Sequence, residues 1–344
     1  MFLKDLTSTP QNDPSDLLRI RDSIYAPDLL ITSVGHLDLF SWLDNNPSDF
    51  NSIIDKFNIK PRPADVMLTY LKAIKLLRKE NDLYYITDIA KEYLSNGSER
   101  NIIPFISTLT ERPIVEKMLE VLRTDLPASW GGKKDELDWE RAMQRDDFAE
   151  MFTAGMDSRA AYYAPGLAGS FEFSQYNSIL DIAGASGIYA AFIINKYPQI
   201  KAAVLERHPV DKIAGISLKK RGLENKIEII SADMFNDDLP NGFDIHLYSH
   251  AMHDWDFNEN KKLIRKSYQS LNKNGIIMIH DAHINREKDG PLSVAEYSVL
   301  LMFSTNGKCY SIGEMEDLLI SEGFADIKYQ KTVGNRSIIT GRKR

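Results

Sequence analysis

Apolar residues recur along this chain with two rhythms, and the change falls near residue 175. Before it the spacing is helical. Leu17, Leu18, Ile20, Ile24, Leu29 and Leu30 give a first amphipathic stretch, followed by a short apolar piece, LDLFSWL. SDFNSIIDKF opens on a Ser–Asp capping signal, and PRPADVMLTYLKAIKLLRKE carries apolar residues at helical spacing. NDLYYIT then reads as a turn and a short β-type run. Three helices and a β-wing in that order predict a winged-helix module over residues 1–100. Further helices are predicted over 101–124 and about 141–170, interrupted by a PASWGG turn at 127–132, so that 101–175 reads as a helical linker.

After Gln175 strand and helix alternate, the signature of a parallel α/β sheet. Strands are predicted at NSILDI, KAAVLE, KIEIIS, FDIHLYS and GIIMIHD, and helices from near Ser186, Pro209, Asn258, Leu292 and Ser311. The last segment, ADIKYQKTVGNRSIITGRK, reads as a hairpin about Gly334–Asn335. The expected fold class is α/β: a doubly wound, Rossmann-like, seven-stranded sheet with one reversed strand over 176–344, preceded by the mostly helical module.

Composition narrows the class. With 43% hydrophobic and 26% charged residues in 344, the chain is of globular type and long enough for two domains. A net charge of -7 argues against a protein built to grip phosphate backbones. The single cysteine, Cys309, cannot form an internal disulfide, which points to a reducing compartment. MFLKDLTSTPQNDPSD lacks the apolar core of a signal peptide, and no window offers the roughly 20 apolar residues of a membrane span. A cytoplasmic location and no membrane partner are the expectations.

The first strand of the second half runs into LDIAGASGIYAAF. Gly184 and Gly187 let backbone approach a ligand without a Cβ in the way, and the helix beyond offers free N–H groups. Nineteen residues after Gly187 the second strand ends at Glu206, placed to accept both hydroxyls of an adenosine ribose. At the end of the third strand, SADMF puts Asp233 where it can receive the adenine amine, with Met234 and Phe235 as apolar walls. A dinucleotide site calls for the full G-x-G-x-x-G to admit a pyrophosphate. The pattern here is D-x-A-G-A-x-G, which suits a cofactor without phosphate, S-adenosylmethionine.

Five histidines, His246, His250, His253, His280 and His283, fall between residues 246 and 283, in segments that end the fourth and fifth strands. The pairs His250-x-x-His253 and His280-x-x-His283 invite a zinc reading, but they lie in loops without cysteine, and no metal is expected. His246, inside its strand, reads as a hydrogen-bonded core residue. His253 leaves the strand in SHAMHDW, where a neutral imidazole overhangs the cofactor's reactive end and can take a proton from a phenol. Asp281 and Asp254 are rival partners for its ring.

The pieces LDIAGASG, VLERHPV, SADMF, SHAMHDW, GIIMIHD and GPLSVAEYSVLLMFSTNGKCYSIGEMEDLLISEGF resemble, in order and spacing, the S-adenosylmethionine-dependent O-methyltransferases of small, often aromatic hydroxyl compounds. The GPLS…GKCYS segment resembles the bacterial branch. The resemblance implies cofactor contacts at Gly184, Glu206, Asp233, Met234 and Ser249, His253 as general base, S-adenosylhomocysteine as product, and dimerisation through the N-terminal domain. Asp281 falls where the plant enzymes carry a glutamate that hydrogen-bonds the base. The chain departs from the family at Ala183 and Ala185, which replace loop glycines, and at Cys309, which replaces a second catalytic glutamate of the plant members.

Phe152, Met156, Met302 and Phe303 are candidates to line an aromatic pocket, and Arg159 is a candidate partner for the cofactor's carboxylate. The expected function is transfer of a methyl group to a small aromatic hydroxyl acceptor by a homodimer. Three rivals remain at this point: a family member that binds the cofactor for hydroxylation or decarboxylation, an NAD-linked oxidoreductase, and a winged-helix DNA-binding regulator. Against the last, residues 1–100 hold 12 Lys and Arg but 15 Asp and Glu. Its Lys72, Lys75, Arg78 and Lys79 read as the solvated edge of an amphipathic helix.

Overall fold

Each predicted strand of the second half is present in the computed structural model, which describes residues 4–7, 9–128 and 142–344. The strands β3 (Ser178–Ile182), β4 (Lys201–Glu206), β5 (Ile227–Ser231), β6 (Ile245–Ser249) and β7 (Ile276–Asp281) lie parallel to their neighbours. The terminal hairpin adds β8 (Ala325–Lys331) and β9 (Ser337–Arg342), and β9 pairs antiparallel with β7. The order β5-β4-β3-β6-β7-β9-β8 makes one seven-stranded sheet with a single reversed strand. In β6 and β7 every residue is buried, as expected of strands covered on both faces. The chain reverses direction across the sheet between β3 and β6, so their C-terminal ends border the crevice where doubly wound sheets bind ligands.

The chain forms two compact units, drawn differently from the sequence segments 1–100, 101–175 and 176–344. The sheet unit comprises residues 1–15, 133–283 and 312–344, and the helical unit comprises 16–132 and 284–311. The long helix Asp146–Ser170 belongs to the sheet unit, while Leu292–Ser304 belongs to the helical unit. In each case the apolar face of the helix decides: Leu167 and Ala164 are buried in the first, and the second packs along Pro61–Ala73.

In the helical unit, Leu39–Asn45, Phe50–Phe57 and Pro61–Ala73 precede a two-stranded antiparallel wing, β1 (Leu77–Glu80) and β2 (Leu83–Ile86). Asn81 and Asp82 both take left-handed backbone, which the tight hairpin turn requires. The third helix is shorter than its periodicity suggested. It stops at Ala73, Lys75 turns left-handed, and Leu77–Glu80 becomes a strand. The basic run therefore does not form one helical edge. Lys72 is buried with its ammonium on the Glu287 carbonyl, while Arg78 and Lys79 lie on the wing, paired with Glu80 and Asp82. The stretch 101–124 is two helices, Ile103–Ser107 and Pro113–Thr124. Residues 129–132 of the PASWGG turn lie outside the described residues. Among the described residues, no helix is long and apolar enough to cross a membrane.

Candidate active site

The turn after β3 is built from backbone in an uncommon conformation. Ala183, Ala185 and Gly187 all have positive φ, at 55°, 48° and 73°. An L residue in the left-handed region costs on the order of 1–2 kcal/mol, so the two alanines where the resembled family has glycines carry real strain. Hydrogen bonds hold the turn: Ala183 N–H donates to the Leu205 carbonyl (3.0 Å), Gly187 N–H to the Gly184 carbonyl (2.8 Å), and Ala185 N–H to Glu206 Oε1 (2.8 Å). Gly184 has a different reason to be glycine. A Cβ there would sit 2.6 Å from the Asp181 carboxyl carbon, so the room a ligand was expected to need is filled by the chain itself. Asp181 is fully buried, its Oδ1 makes no hydrogen bond, and burial raises its pKa to about 7.

Glu206 stands at the end of β4 with both oxygens on backbone amides, Oε1 on Ala185 and Oε2 on Arg207 (3.2 Å). Burial lifts its pKa to about 7 against the opposing pull of those amides. Asp233 accepts the amides of Phe235 (2.8 Å) and Asn236 (3.2 Å) and caps its own turn. Burial opposes the ionised form of Asp233, but these hydrogen bonds prevail and hold its pKa below the usual value. Met234 and Phe235 are half-buried, and the Phe235 ring meets Trp255 edge-on at 4.6 Å. Lys266 fixes this loop from the helix Phe257–Ser270, donating to the carbonyls of Met234 (2.8 Å), Phe235 (3.0 Å) and Asp237. Arg159, on Asp146–Ser170, lies near enough for its charge to depress the basicity of His250 and His280.

These groups fit S-adenosylmethionine. A carboxylate at the end of β4 suits a ribose diol, the Phe235–Trp255 corner suits an adenine face, and Arg159 suits a carboxylate.

The second half of the site hangs from β6 and β7. His253 lies in a short 3-10 turn, Met252–Asp254, and is buried. Its Nδ1 is 2.6 Å from Asp281 Oδ1, whereas its Nε2 is 3.7 Å from Asp254 Oδ1, beyond hydrogen-bond range. The geometry thus separates the two rival partners in favour of Asp281. Burial works to raise the pKa of Asp281, but the adjoining His253 ring outweighs it and holds the carboxyl well below the usual carboxylate range. Asp281 Oδ1 also accepts the Ala282 amide at 2.7 Å.

The other histidines pack around this pair. His250 takes left-handed backbone (φ 55°) and receives Arg336 Nε on its Nδ1 at 3.3 Å. His280 Nδ1 lies 2.9 Å from Ser249 Oγ, so the serine implied as a cofactor contact is engaged with a histidine. Burial pushes His280 to about 3 and His283 to about 4, which keeps both neutral. His246 is a core residue bonded to Ser267 (3.1 Å), as its place inside the strand suggested. His250, His253 and Asp281 each bring one ligand-type atom within 4.8 Å of the others, a constellation that could chelate a cation. The Arg336 guanidinium on His250 Nδ1 opposes that use by setting a positive charge beside the ring, while His250 Nε2 makes no hydrogen bond. Arg336 itself, buried under the Tyr163 ring (4.6 Å), carried no signal in the sequence.

The four candidate pocket residues divide between the units. Phe152 packs on a cluster of Met143, Ala149, Val210 and Ile213, and Met156 is half-buried on the same helix. Met302 and Phe303 are buried in the helical unit, where Phe303 meets Tyr25 at 4.3 Å. Cys309 is buried there too, with its amide donating to Ser298 Oγ (3.1 Å).

The O-methyltransferase domain family matches residues 126–325. The chain is 26% identical over 318 residues to a 3-hydroxy-5-methyl-1-naphthoate 3-O-methyltransferase of Streptomyces sahachiroi, covering 91% of each chain. It is 25% identical to the tetracenomycin polyketide synthesis 8-O-methyltransferase of Streptomyces glaucescens, covering 96% of this chain and 97% of that one. Among solved structures, an O-methyltransferase family 2 protein from Planctomyces limnophilus in complex with apigenin superposes with a TM-score of 0.88 at 28% identity, over the whole of both chains.

Proposed function

The chain belongs to the O-methyltransferase domain family and is an S-adenosylmethionine-dependent O-methyltransferase, and from that premise we propose that it methylates a hydroxyl of a small aromatic, polyketide-like acceptor, with His253 as general base and without a metal. One observation carries the base assignment: the 2.6 Å contact between His253 Nδ1 and Asp281 Oδ1. An ionised Asp281 can only accept, so Nδ1 carries the hydrogen, and in the neutral ring Nε2 is the basic nitrogen.

The cofactor supplies a methyl group activated by a sulfonium sulfur. His253 Nε2 takes the proton of the acceptor hydroxyl as the new O–C bond forms, and Asp281 stabilises the imidazolium. Such base assistance is worth about 10²–10⁴-fold. The larger contribution, roughly 7–11 kcal/mol, is available from holding oxygen and methyl in line. Glu206, Asp233, Met234, Phe235, Ser249, Arg159 and the turn at Gly184 are assigned to the cofactor, and Phe152 and Met156 to the acceptor. The names of the similar proteins, with naphthoate, tetracenomycin and apigenin, support an aromatic acceptor. The Arg336–His250 contact supports chemistry without a metal.

We assign dimerisation to the helical unit. Leu17, Ile20 and Phe105 are 72%, 69% and 78% exposed there, apolar surface available to a partner. Light scattering should report a dimer, and Leu17→Glu with Ile20→Glu should shift it to monomer; an unaffected dimer removes this surface from the interface.

The function is tested by transfer of labelled methyl to a panel of naphthols, hydroxyanthraquinones and aliphatic alcohols, with and without chelator. Label on aromatic hydroxyls at equal rates in both conditions is expected. Label on aliphatic alcohols alone, or loss of activity with chelator, contradicts the proposal.

A further inference from the structure

Beneath the strained turn lies an ion pair that the proposed chemistry does not use. Asp157, on Asp146–Ser170, and Arg221, just past the end of the helix Val210–Lys220, are paired with side chains wholly withdrawn from solvent. Both reach Ser186, which stands between the left-handed Ala185 and Gly187. The Ser186 hydroxyl donates to Asp157 Oδ1, and Arg221 Nη1 donates to the Ser186 carbonyl (2.9 Å). Arg221 also donates to Ser217 Oγ and to Asp157 Oδ1, so the three segments are tied at one point.

Charges are rarely taken out of water for stability, because a buried ion pair gains little over well-packed apolar residues. Strained backbone persists only where its surroundings over-determine it. Here the two facts meet at one residue. Ala185 N–H is the donor that orients Glu206 Oε1, and Ser186 follows it in the chain.

We propose that Asp157 and Arg221 are positioning residues for the cofactor turn: by clamping Ser186 they hold Ala185 in its left-handed conformation and thereby aim the Glu206 carboxylate. The clamp acts on cofactor affinity, not on the proton transfer at His253. It replaces, in this chain, the conformational freedom that glycines at 183 and 185 would provide. This inference rests on the assignment of the turn and Glu206 to S-adenosylmethionine.

The test compares wild type, Asp157→Asn, the double variant Asp157→Leu/Arg221→Met, and Glu206→Ala, by calorimetric titration with S-adenosylmethionine, by steady-state kinetics and by melting. The apolar double variant keeps the volume filled without a stranded charge, so it separates clamping from mere stability. It is expected to melt within a few degrees of wild type and yet bind the cofactor at least tenfold more weakly, with KM for the cofactor raised and kcat at saturation changed less than threefold. Adding Ala185→Gly to Asp157→Asn is expected to recover at least half of the lost affinity, because glycine enters the left-handed region without the clamp. Wild-type affinity in the double variant overturns the proposal, as does affinity that falls only in proportion to melting temperature or no recovery with Ala185→Gly. If wild type binds and Glu206→Ala binds equally well, it is the assignment of Glu206 that fails instead.

Discussion

The turn after β3 and the turn after β6 share a ground plan: each leaves the C-terminal end of a central parallel strand, and each bends through non-glycine residues in left-handed backbone, Ala183 and Ala185 in one and His250 in the other. They are held differently. The first is tied largely at its backbone groups, the Ala185 amide on Glu206 and the Ser186 carbonyl on Arg221, with the Ser186 hydroxyl on Asp157. The second is fixed through side chains: Asp281 on His253, Arg336 on His250, and Ser249 with His280. The difference fits the proposed roles: a cofactor turn needs its backbone in place, whereas a proton-transfer site needs one imidazole in one tautomer, which a hydrogen bond at the other ring nitrogen imposes.

The largest effect should come from breaking the second turn. His253→Ala is expected to lower turnover by about 10²–10⁴-fold with cofactor affinity nearly unchanged, as read by calorimetry beside kinetics. Asp281→Asn should cost more than Asp254→Asn, because of these two carboxylates Asp281 is the one within hydrogen-bond distance of the ring. A reversed order would move the supporting role to Asp254.

Breaking the first turn should act on binding. Glu206→Ala is expected to weaken S-adenosylmethionine by about one to two orders of magnitude, the loss of charge-assisted hydrogen bonds. The raised pKa of Glu206, about 7, gives this a pH signature. The ionised carboxylate is the acceptor, so affinity should rise about tenfold between pH 6 and pH 8 and then level off. Glu206→Gln should abolish that slope, and a slope that survives it would point to another group. By linkage, a carboxyl whose folded pKa is raised makes the cofactor-free protein less stable as pH climbs from the ordinary carboxylate range through about 7. Bound cofactor should therefore stabilise most on the alkaline side.

The smallest effect sharpens the comparison. Ala185→Gly relieves backbone strain and should raise stability by on the order of 1 kcal/mol, visible as a modest rise in melting temperature. No rise, or a fall, would show that the alanine methyl makes packing contacts worth more than the strain.

Much of this was legible in the residues alone. Alternation and helical periodicity located all five parallel strands and the terminal hairpin, because strands buried on both faces leave long apolar runs. Local order also placed His253 and Glu206 at strand ends. What was not legible depends on distance in sequence. Asp157 and Arg221 are 64 residues apart, and Arg336 reaches His250 across 86. No periodicity links such pairs, and a lone arginine in a polar hairpin reads as surface. The end of the third helix at Ala73 was hidden for another reason: Leu76 and Leu77 continue the helical spacing, although Leu76 lies in the turn and Leu77 opens a strand.

Removal of the acceptor proton by His253 is tested most directly by the pH dependence of methyl transfer by His253→Ala under saturating cofactor and a phenolic acceptor. Without the base, the acceptor must ionise by itself, with a reference pKa of about 10. The variant's rate should climb about tenfold per pH unit between pH 7 and pH 9 and approach the wild-type rate near pH 10, while wild type stays nearly flat over that range. A variant that matches wild type at pH 7, or one whose deficit is the same at every pH, would contradict the role of His253 as base.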